Sequence, residues 1–301
     1  MSIVSRFLGL SVIAILSSCG NEETTVNYSG ESASAMDVFH NGIYSVKEGE
    51  GEIIGTMTST YLTYSWRMEG ETTILERQLL MDKSKGYHKN SMPIELSYRV
   101  PQVAVIADGI KVKSVRGYEQ FIPQVVEKLA IKENFKRQLR DARYQLEFDR
   151  YEKHRWEMGH LLLGSVPVRG NITGLLKSQG RLPLPAFEVD SVVVVGFKST
   201  DGRKCLEYKT YFRDKESFPY FMWEQYAYSV ESGKKYQEFK PDSAFYSTEY
   251  MVSLDIETGI PCQEREVKVG THVMIHPESK ERATFTSYIT RENLFTKPEK
   301  K

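Results

Sequence analysis

The sequence predicts an α+β protein: a large, curved antiparallel β-sheet, built from two β regions, with a central helical insert packed against it. Three observations predict this class. Short alternating runs of apolar and polar residues, bounded by turn residues, fill residues 42–116 and 160–291. One long helical pattern, over residues 118–158, lies between them. Tyrosine, which favours strands, occurs 18 times.

The helical insert is predicted by apolar residues that recur at spacings of three and four, which places them on one face of a helix. They are Tyr118, Ile122, Val125 and Leu129, followed by Phe135, Leu139, Ala142 and Leu146. Pro123 suits a first helical turn, and Asn134 suits the cap of a second helix. We therefore expect a short helix followed by a longer one that ends at Gly159.

The two β regions contain strands of different predicted burial. Alternation is clearest from Thr58 to Trp66 in the first region. In the second region Ile172 to Leu176 is a predicted strand. Val189 to Phe197 is almost continuously apolar, which predicts a strand buried on both faces. Asp201-Gly202 predicts the turn into the next strand.

Length and charge exclude one class of function. The chain of 301 residues is long enough to bury a full core. Its 40 basic and 40 acidic side chains give a formal net charge of zero. A protein without net charge has no overall field that attracts nucleic acid, so we expect no nucleic-acid partner.

Residues 1–18 have the pattern of a secretory signal peptide. A short segment containing Arg6 precedes the apolar run Phe7 to Leu16, which is too short to span a bilayer as a stable anchor. The run leads into Leu16-Ser17-Ser18-Cys19, and this resembles the lipobox of bacterial lipoproteins. The resemblance implies cleavage before Cys19 and acyl chains, such as palmitate, on that residue. Two or more such chains anchor a protein stably in a membrane.

The resemblance also implies a location and a domain organisation. The residue after Cys19 is Gly20, whereas Asp at this place implies retention in the inner membrane in enterobacterial lipoproteins. We therefore expect a protein anchored by lipid to the bacterial outer membrane, on its periplasmic face or at the cell surface. Residues 19–37 are polar and small, which predicts a flexible tether. Residues 38–296 are predicted to form one α+β domain.

Two cysteines remain after Cys19, namely Cys205 and Cys262. A single disulfide between them is expected in an oxidising envelope, and two separate thiols are the alternative. Their separation in sequence does not decide between these, because a disulfide requires Cα atoms within about 7 Å of each other.

No catalytic residue, metal or cofactor is predicted. His272 and His276 form H-x-x-x-H within a predicted strand, where their Cα atoms would lie about 13 Å apart, too far to share one ion. The chain has no G-x-S-x-G, H-E-x-x-H, P-loop or Rossmann glycine pattern. These observations favour a non-enzymatic protein.

A ligand cleft is predicted where the insert meets the most aromatic stretch, Phe218 to Tyr228. Both faces of this predicted strand are largely apolar, which suits a core on one side and a groove or a partner on the other. The candidate ligand-binding residues, on the strand and on the insert, are Phe221, Trp223, Val125, Leu129 and Leu139.

A curved sheet that wraps a helix is similar, at the level of fold alone, to periplasmic lipoprotein carriers and lipid-binding envelope lipoproteins. We therefore expect a lipid-anchored, non-enzymatic protein that binds a hydrophobic or envelope-derived ligand. One alternative is a structural or assembly subunit that docks a protein partner through the aromatic face. Another is an unrecognised extracytoplasmic hydrolase, which needs carboxylates or histidines that converge in a cleft.

Overall fold

Strands dominate the structure, a computed structural model of the chain. It describes residues 22–28, 36–48, 51–54, 58–69, 72–79, 85–86, 103–108, 111–117, 119, 152–182, 184, 187–215 and 239–296. The first part of the chain contains β1 (Glu23–Val26), β2 (Met36–Glu48), β3 (Gly51–Ile54), β4 (Thr58–Glu69), β5 (Thr72–Leu79), β6 (Lys85–Gly86), β7 (Val103–Asp108) and β8 (Lys111–Arg116).

The second part contains longer strands and, among its described residues, two helices. The strands are β9 (Gly164–Pro167), β10 (Gly170–Asn171), β11 (Phe187–Thr200), β12 (Arg203–Asp214), β13 (Lys240–Asp255), β14 (Pro261–Ile275) and β15 (Arg282–Thr296). The helices are α1 (152–159) and α2 (Thr173–Ser178).

Thirteen of the described strands form one sheet, in the order β10-β11-β12-β13-β14-β15-β2-β4-β5-β7-β8, with β3 beside β2 and β6 beside β4. Every pair is antiparallel. The pairing of β15 with β2, from Thr286 opposite Lys47 to Thr296 opposite Asp37, joins the two predicted β regions. The two regions therefore share one sheet.

The predicted class, a sheet-dominated α+β fold, is confirmed. Within the predicted insert, residue 119 and residues 152–158 are helical in the described part of the chain. The helix ends at Gly159, as expected. The turn after β11 also forms as predicted: Asp201 and Gly202 have φ of 52° and 70°, the left-handed conformation that a tight hairpin turn requires.

The main core lies on the inner face of β12 and β13, under α1. Leu206, Val252 and Leu254 are fully buried there. The hydroxyl of Tyr208 donates a hydrogen bond of 2.5 Å to the carbonyl oxygen of Met158 in α1. This bond and the surrounding apolar contacts hold α1 across the sheet.

The predicted flexible tether over residues 19–37 is wrong for part of its length. Glu23 to Val26 form β1, which pairs with β9, and Val26 is 2 % exposed within the main core. The last two residues of this segment, Met36 and Asp37, belong to β2. The polar composition gave no sign of β1, because its partner strand lies some 140 residues away in the sequence.

Two strand predictions in the second β region are also wrong. Ile172 to Leu176 lies mostly in α2, because the side chain of Asn171 accepts the backbone N–H of Thr173 at 3.0 Å and turns the chain into a helix. The apolar run Val189 to Phe197 is not buried on both faces. β10 pairs with β11 only at Val193 and Val194, and beyond them Val195 and Phe197 are 45 % and 40 % exposed.

Candidate functional site

The inner face of β14 is charged, although it faces the interior. Glu264, Glu266 and Lys268 alternate along the strand and are 5 to 9 % exposed. Burying a charged group costs free energy unless a partner of opposite charge or a hydrogen bond compensates. The neighbouring elements provide those partners.

Glu266 lies between two cations. Its carboxylate contacts the ammonium of Lys268 at 2.8 Å and the guanidinium of Arg291, on β15, at 3.5 Å. Burial by itself would raise the pKa of Glu266, but the charges of Lys268 and Arg291 outweigh burial and hold that pKa below its usual value. The carboxylate therefore stays ionised inside the protein.

Glu264 ties α1 to the sheet. One of its carboxylate oxygens accepts hydrogen bonds from Nε and Nη2 of Arg155 at 3.1 and 2.6 Å. The same oxygen accepts from the side-chain amide of Asn293 on β15 at 2.8 Å. Three donors from two distant elements thus converge on one atom.

A cleft lies between α1 and the inner faces of β12, β13 and β14, and we call it the inner cleft. Its empty space is about 520 Å³ when the open solvent at its mouth is included, and about 40 Å³ of it can hold the centre of a water molecule. Its apolar and aromatic lining consists of Met158, Phe187, Phe212, Tyr246 and Tyr250. Its polar lining consists of His154, Arg155, Asp214, Thr248, Glu266 and Lys268.

The aromatic pair and the charged pair of the lining lie on different strands. The rings of Phe187 and Phe212 lie 4.5 Å apart between centroids, and the ring of His154 lies 4.1 Å from that of Phe187. Lys268 and Glu266 come from β14, two strands away from Phe212 on β12. An apolar wall and a charged wall facing one space can hold a molecule that has both characters.

Thr248 presents a hydroxyl that no described group satisfies. The residue is 4 % exposed, lines the inner cleft and lies between Phe212 and Lys268 in the sheet register. Its Oγ1 has no hydrogen-bond partner in the described part of the chain. A buried hydroxyl without a partner destabilises the protein, so this atom is a candidate contact for a ligand.

A second cleft lies on the other side of α1 and reaches strands of the first β region; its empty space is about 360 Å³ when open solvent is included, and about 30 Å³ of it can hold the centre of a water molecule. Arg155 lines both cavities. In the second, the indole of Trp156 stacks on the imidazole of His160 at 4.0 Å. Burial lowers the pKa of His160 to about 4, although its hydrogen bond to the Trp156 carbonyl and the charge of Glu264 oppose that shift.

The histidines of the H-x-x-x-H pattern have separate surroundings. His272 lies on β14, where its Nε2 is 2.6 Å from the hydroxyl of Ser287. His276 follows the strand, and its Nδ1 accepts the backbone N–H of Ser279 at 3.1 Å. No group of three His, Cys, Asp or Glu residues suited to a metal ion occurs among the described residues. Nor is any helix in the described ranges long and apolar enough to cross a membrane.

Most residues of the predicted sites lie outside the described part of the chain. These are the lipidation site Cys19 and the predicted ligand-binding residues Val125, Leu129, Leu139, Phe221 and Trp223. The inner cleft was not predicted, but its lining includes residues next to the predicted ones in sequence: His154 lies in the last turn of the predicted insert, and Asp214 precedes the aromatic stretch.

The two predicted disulfide partners lie together. Cys205 and Cys262 are fully buried, and their Sγ atoms are 2.6 Å apart as free thiols. Their hydrogen bond lowers the pKa of Cys205, while the same contact and burial raise the pKa of Cys262. A disulfide between them stays a prediction.

Sequence reasoning missed the charged residues of the cleft. On β14 a period of two would place the valines of its outer face, such as Val267 and Val269, in the core, yet Val269 is 40 % exposed. The one available signal was the unusual run Glu264-Arg265-Glu266 in a predicted strand, since charged residues are depleted in strands.

Comparison with known proteins does not assign the chain to a family. No protein-family model matches the chain, and no curated protein matches it either. The class of site is therefore defined by its geometry alone: a semi-enclosed cleft in a sheet-dominated fold, with an aromatic wall, a wall of paired charges and a buried hydroxyl without a described partner.

Proposed function

We propose that this chain is a lipid-anchored, non-enzymatic lipoprotein of the bacterial outer membrane that binds an amphipathic, envelope-derived ligand in the inner cleft. The anchor rests on the lipobox-like segment Leu16-Ser17-Ser18-Cys19. The ligand class rests on the cleft, whose two walls match the two parts of a molecule with an apolar chain and a polar head.

The observation that carries the ligand proposal is the hydroxyl of Thr248. It is buried, it lines the cleft, and no described group bonds to it. A ligand polar group that hydrogen-bonds to it would remove the cost of its desolvation. The aromatic pair Phe187 and Phe212 offers apolar surface beside it, because Phe212 is the cross-strand neighbour of Thr248.

We propose binding rather than catalysis because acidic groups of the cleft are already held by other groups of the protein. The carboxylate of Glu266 is held by Lys268 and Arg291, and Asp214 accepts the backbone N–H of Tyr246 at 3.1 Å. Groups held in this way suit recognition of a polar head more than proton transfer to a substrate.

The test is lipid extraction from protein purified from membranes, followed by mass spectrometry, on wild type and Thr248→Val. Wild-type protein should carry envelope lipid, and Thr248→Val should retain about 5- to 10-fold less, the loss of one hydrogen bond. Thr210→Val is the matched control, because Thr210 is equally buried on β12 but does not line the cleft.

Two results would reject the ligand proposal. One is wild-type protein that carries no lipid and whose melting temperature does not rise when a lipid extract of the envelope is added. The other is equal retention of lipid by Thr248→Val and wild type, which would place any bound lipid outside the inner cleft.

A further inference from the structure

Five residues that line the inner cleft occupy two adjacent cross-strand rows on one face of the sheet. In one row Phe187 lies directly opposite Asp214, on β11 and β12. In the next row Phe212, Thr248 and Lys268 lie directly opposite one another on β12, β13 and β14. Asp214 follows Phe212 by two residues, so it lies diagonally from Thr248, with about 7–8 Å between their Cα atoms. All five side chains therefore face the same space.

Thr248 lies between a cation and a carboxylate that come from its two neighbouring strands. The cation is Lys268 on β14, and the carboxylate is Asp214 on β12. The buried Oγ1 of Thr248 has no hydrogen-bond partner in the described part of the chain. A polar group bound across this hydroxyl meets both charges. A zwitterion finds an opposite charge at each end, whereas a ligand with charge of one sign faces a like charge at one of them.

The Asp214 side of the cleft suits an ammonium group. The Oδ2 of Asp214 accepts the backbone N–H of Tyr246 at 3.1 Å. A carboxylate offers about four acceptor positions, so this bond orients the group without exhausting it. The rings of Phe187 and Phe212, 4.5 Å apart between centroids, lie beside it. A carboxylate next to aromatic rings is the combination that binds an alkylammonium, through charge and through cation–π attraction.

The β14 side of the cleft suits an anionic group. Its charged lining residues are the two cations Arg155 and Lys268 and the carboxylate of Glu266. Arg155 belongs to this side because it is bonded to Glu264, which lies four residues before Lys268 on β14. The ammonium of Lys268 has three N–H donors, and its contact with Glu266 at 2.8 Å uses one of them. A phosphate can therefore accept from Lys268 and from the hydroxyl of Thr248.

The size of the cleft limits the ligand part that it can enclose. About 40 Å³ can hold the centre of a water molecule, which is room for about three waters, and the rest of its 520 Å³ includes open solvent. A head group fits this space and a whole lipid does not, so acyl chains stay at the mouth. In phosphoethanolamine the two charges are about 5 Å apart at ordinary bond lengths, so one molecule can contact both Asp214 and Thr248.

We propose that the inner cleft recognises a zwitterionic head group of the phosphoethanolamine type, with its ammonium held at Asp214 and its phosphate at Thr248 and Lys268. The inference rests on the proposed function, because it names the head group of the ligand proposed there. Its own evidence is the register that places a carboxylate and an ammonium on either side of a buried hydroxyl.

The experiment measures binding to the full lipidated protein, purified from membranes in a non-ionic detergent, by titration calorimetry. The probes are dihexanoyl-phosphatidylethanolamine, which is zwitterionic, dihexanoyl-phosphatidylglycerol, which is anionic, and O-phosphoethanolamine, the head group without chains. Wild type should bind the phosphatidylethanolamine about 10-fold more tightly than the phosphatidylglycerol.

Three variants assign that preference to residues. Asp214→Asn removes the charge but keeps an acceptor for the Tyr246 N–H, and it should abolish the preference. Thr248→Val should weaken the binding of both lipids alike, because both carry the phosphate. Asp190→Asn is the matched control and should keep the preference, because Asp190 accepts a hydrogen bond from Arg213 of β12 at 3.0 Å but is not among the described residues that line the cleft.

Two results would overturn the zwitterionic head group and leave the ligand proposal intact: equal affinity of wild type for the two lipids, or an unchanged preference in Asp214→Asn. Binding of O-phosphoethanolamine as tight as that of the lipid would support the zwitterionic site but assign it to a soluble compound, against the proposed amphipathic ligand. Absence of binding by every probe would overturn the head group, and the proposed function would fail with it only if the protein also carries no envelope lipid.

Discussion

Two neighbouring parts of the same face of the sheet bury side chains of different character: one part buries apolar side chains, and the other buries charged and polar ones. On β12 and β13 the inner face buries Leu206, Val252 and Leu254 without exposed surface. On β14 and β15 it buries Glu264 and Asn293, which lie in the same cross-strand row as Val252. Yet both parts have the same backbone geometry and are covered by the same helix.

The difference shows that each part depends on a different kind of partner. An apolar side chain is stabilised by any apolar neighbour, so its contribution grows with the area removed from water. A buried charge is stabilised only by a partner in the right place. Without that partner, the buried charge costs more free energy of folding than an empty cavity does. The charged part should therefore be more sensitive to single substitutions, and the following predictions test that.

The largest effect is expected when the partner of a buried cation is removed. Glu264→Ala leaves Arg155 and Asn293 without their shared acceptor, and we expect a loss of about 3–5 kcal/mol in the free energy of unfolding. Leu254→Ala, in the apolar part, should cost about 2–5 kcal/mol as an ordinary cavity. Chemical denaturation measures both.

The double variant Arg155→Met with Glu264→Leu distinguishes the cost of an unpaired charge from the loss of a stabilising ion pair. If the cost of Glu264→Ala comes from an unpaired charge, the double variant should be more stable than Glu264→Ala. A double variant that is less stable than either single one would show that the ion pair itself stabilises the fold, and the contrast between the two parts would not hold.

The next effect is a loss of stability in acid. Burial lowers the pKa values of His272, in the charged part, and of His160, among aromatic rings, each to about 4. As the pH falls below about 6.5 the unfolded chain binds protons at these histidines and the folded chain does not. Stability should therefore be greatest above pH 6.5 and fall towards pH 4, by about 3 kcal/mol for each histidine.

Single variants assign the pH dependence to each environment. Denaturation midpoints of His160→Gln and His272→Gln between pH 7.5 and 4.5 should each show a smaller slope than wild type. An unchanged slope in His272→Gln alone would mean that the charged part is hydrated enough to protonate its histidine, unlike the aromatic cluster around His160.

The smallest effect is expected at Gly270, where the charged part of the sheet leaves no space for a side chain. Gly270 lies under the ring of Tyr246, and a Cβ there would be 2.7 Å from the hydroxyl oxygen of Ser287. Gly270→Ala should cost about 1–3 kcal/mol through overpacking. Gly174→Ala, in α2 with nothing within 4 Å of the new Cβ, is the control and should stabilise by about 0.5–1 kcal/mol. Equal melting temperatures of the two variants would contradict the close packing.

The fold was more predictable than the site. Turn chemistry at Asp201-Gly202 and the end of α1 at Gly159 depend on residues close together in sequence, and both formed as predicted. The inner cleft depends on Arg155, Thr248 and Glu266, which lie on three separate elements. No local pattern connects these residues, so the cleft could not be read from the sequence.

The sequence by itself determined that the described chain is mainly strands, where several turns lie and where α1 ends, because steric preferences and side-chain alternation act within a few residues. Only the tertiary structure decided that β15 pairs with β2, that β1 joins the domain through β9, and that β14 turns its charges inward. These outcomes follow from partners more than 100 residues away, such as Arg155 for Glu264. A buried charge or an unpaired strand is stable only where such a partner is in place.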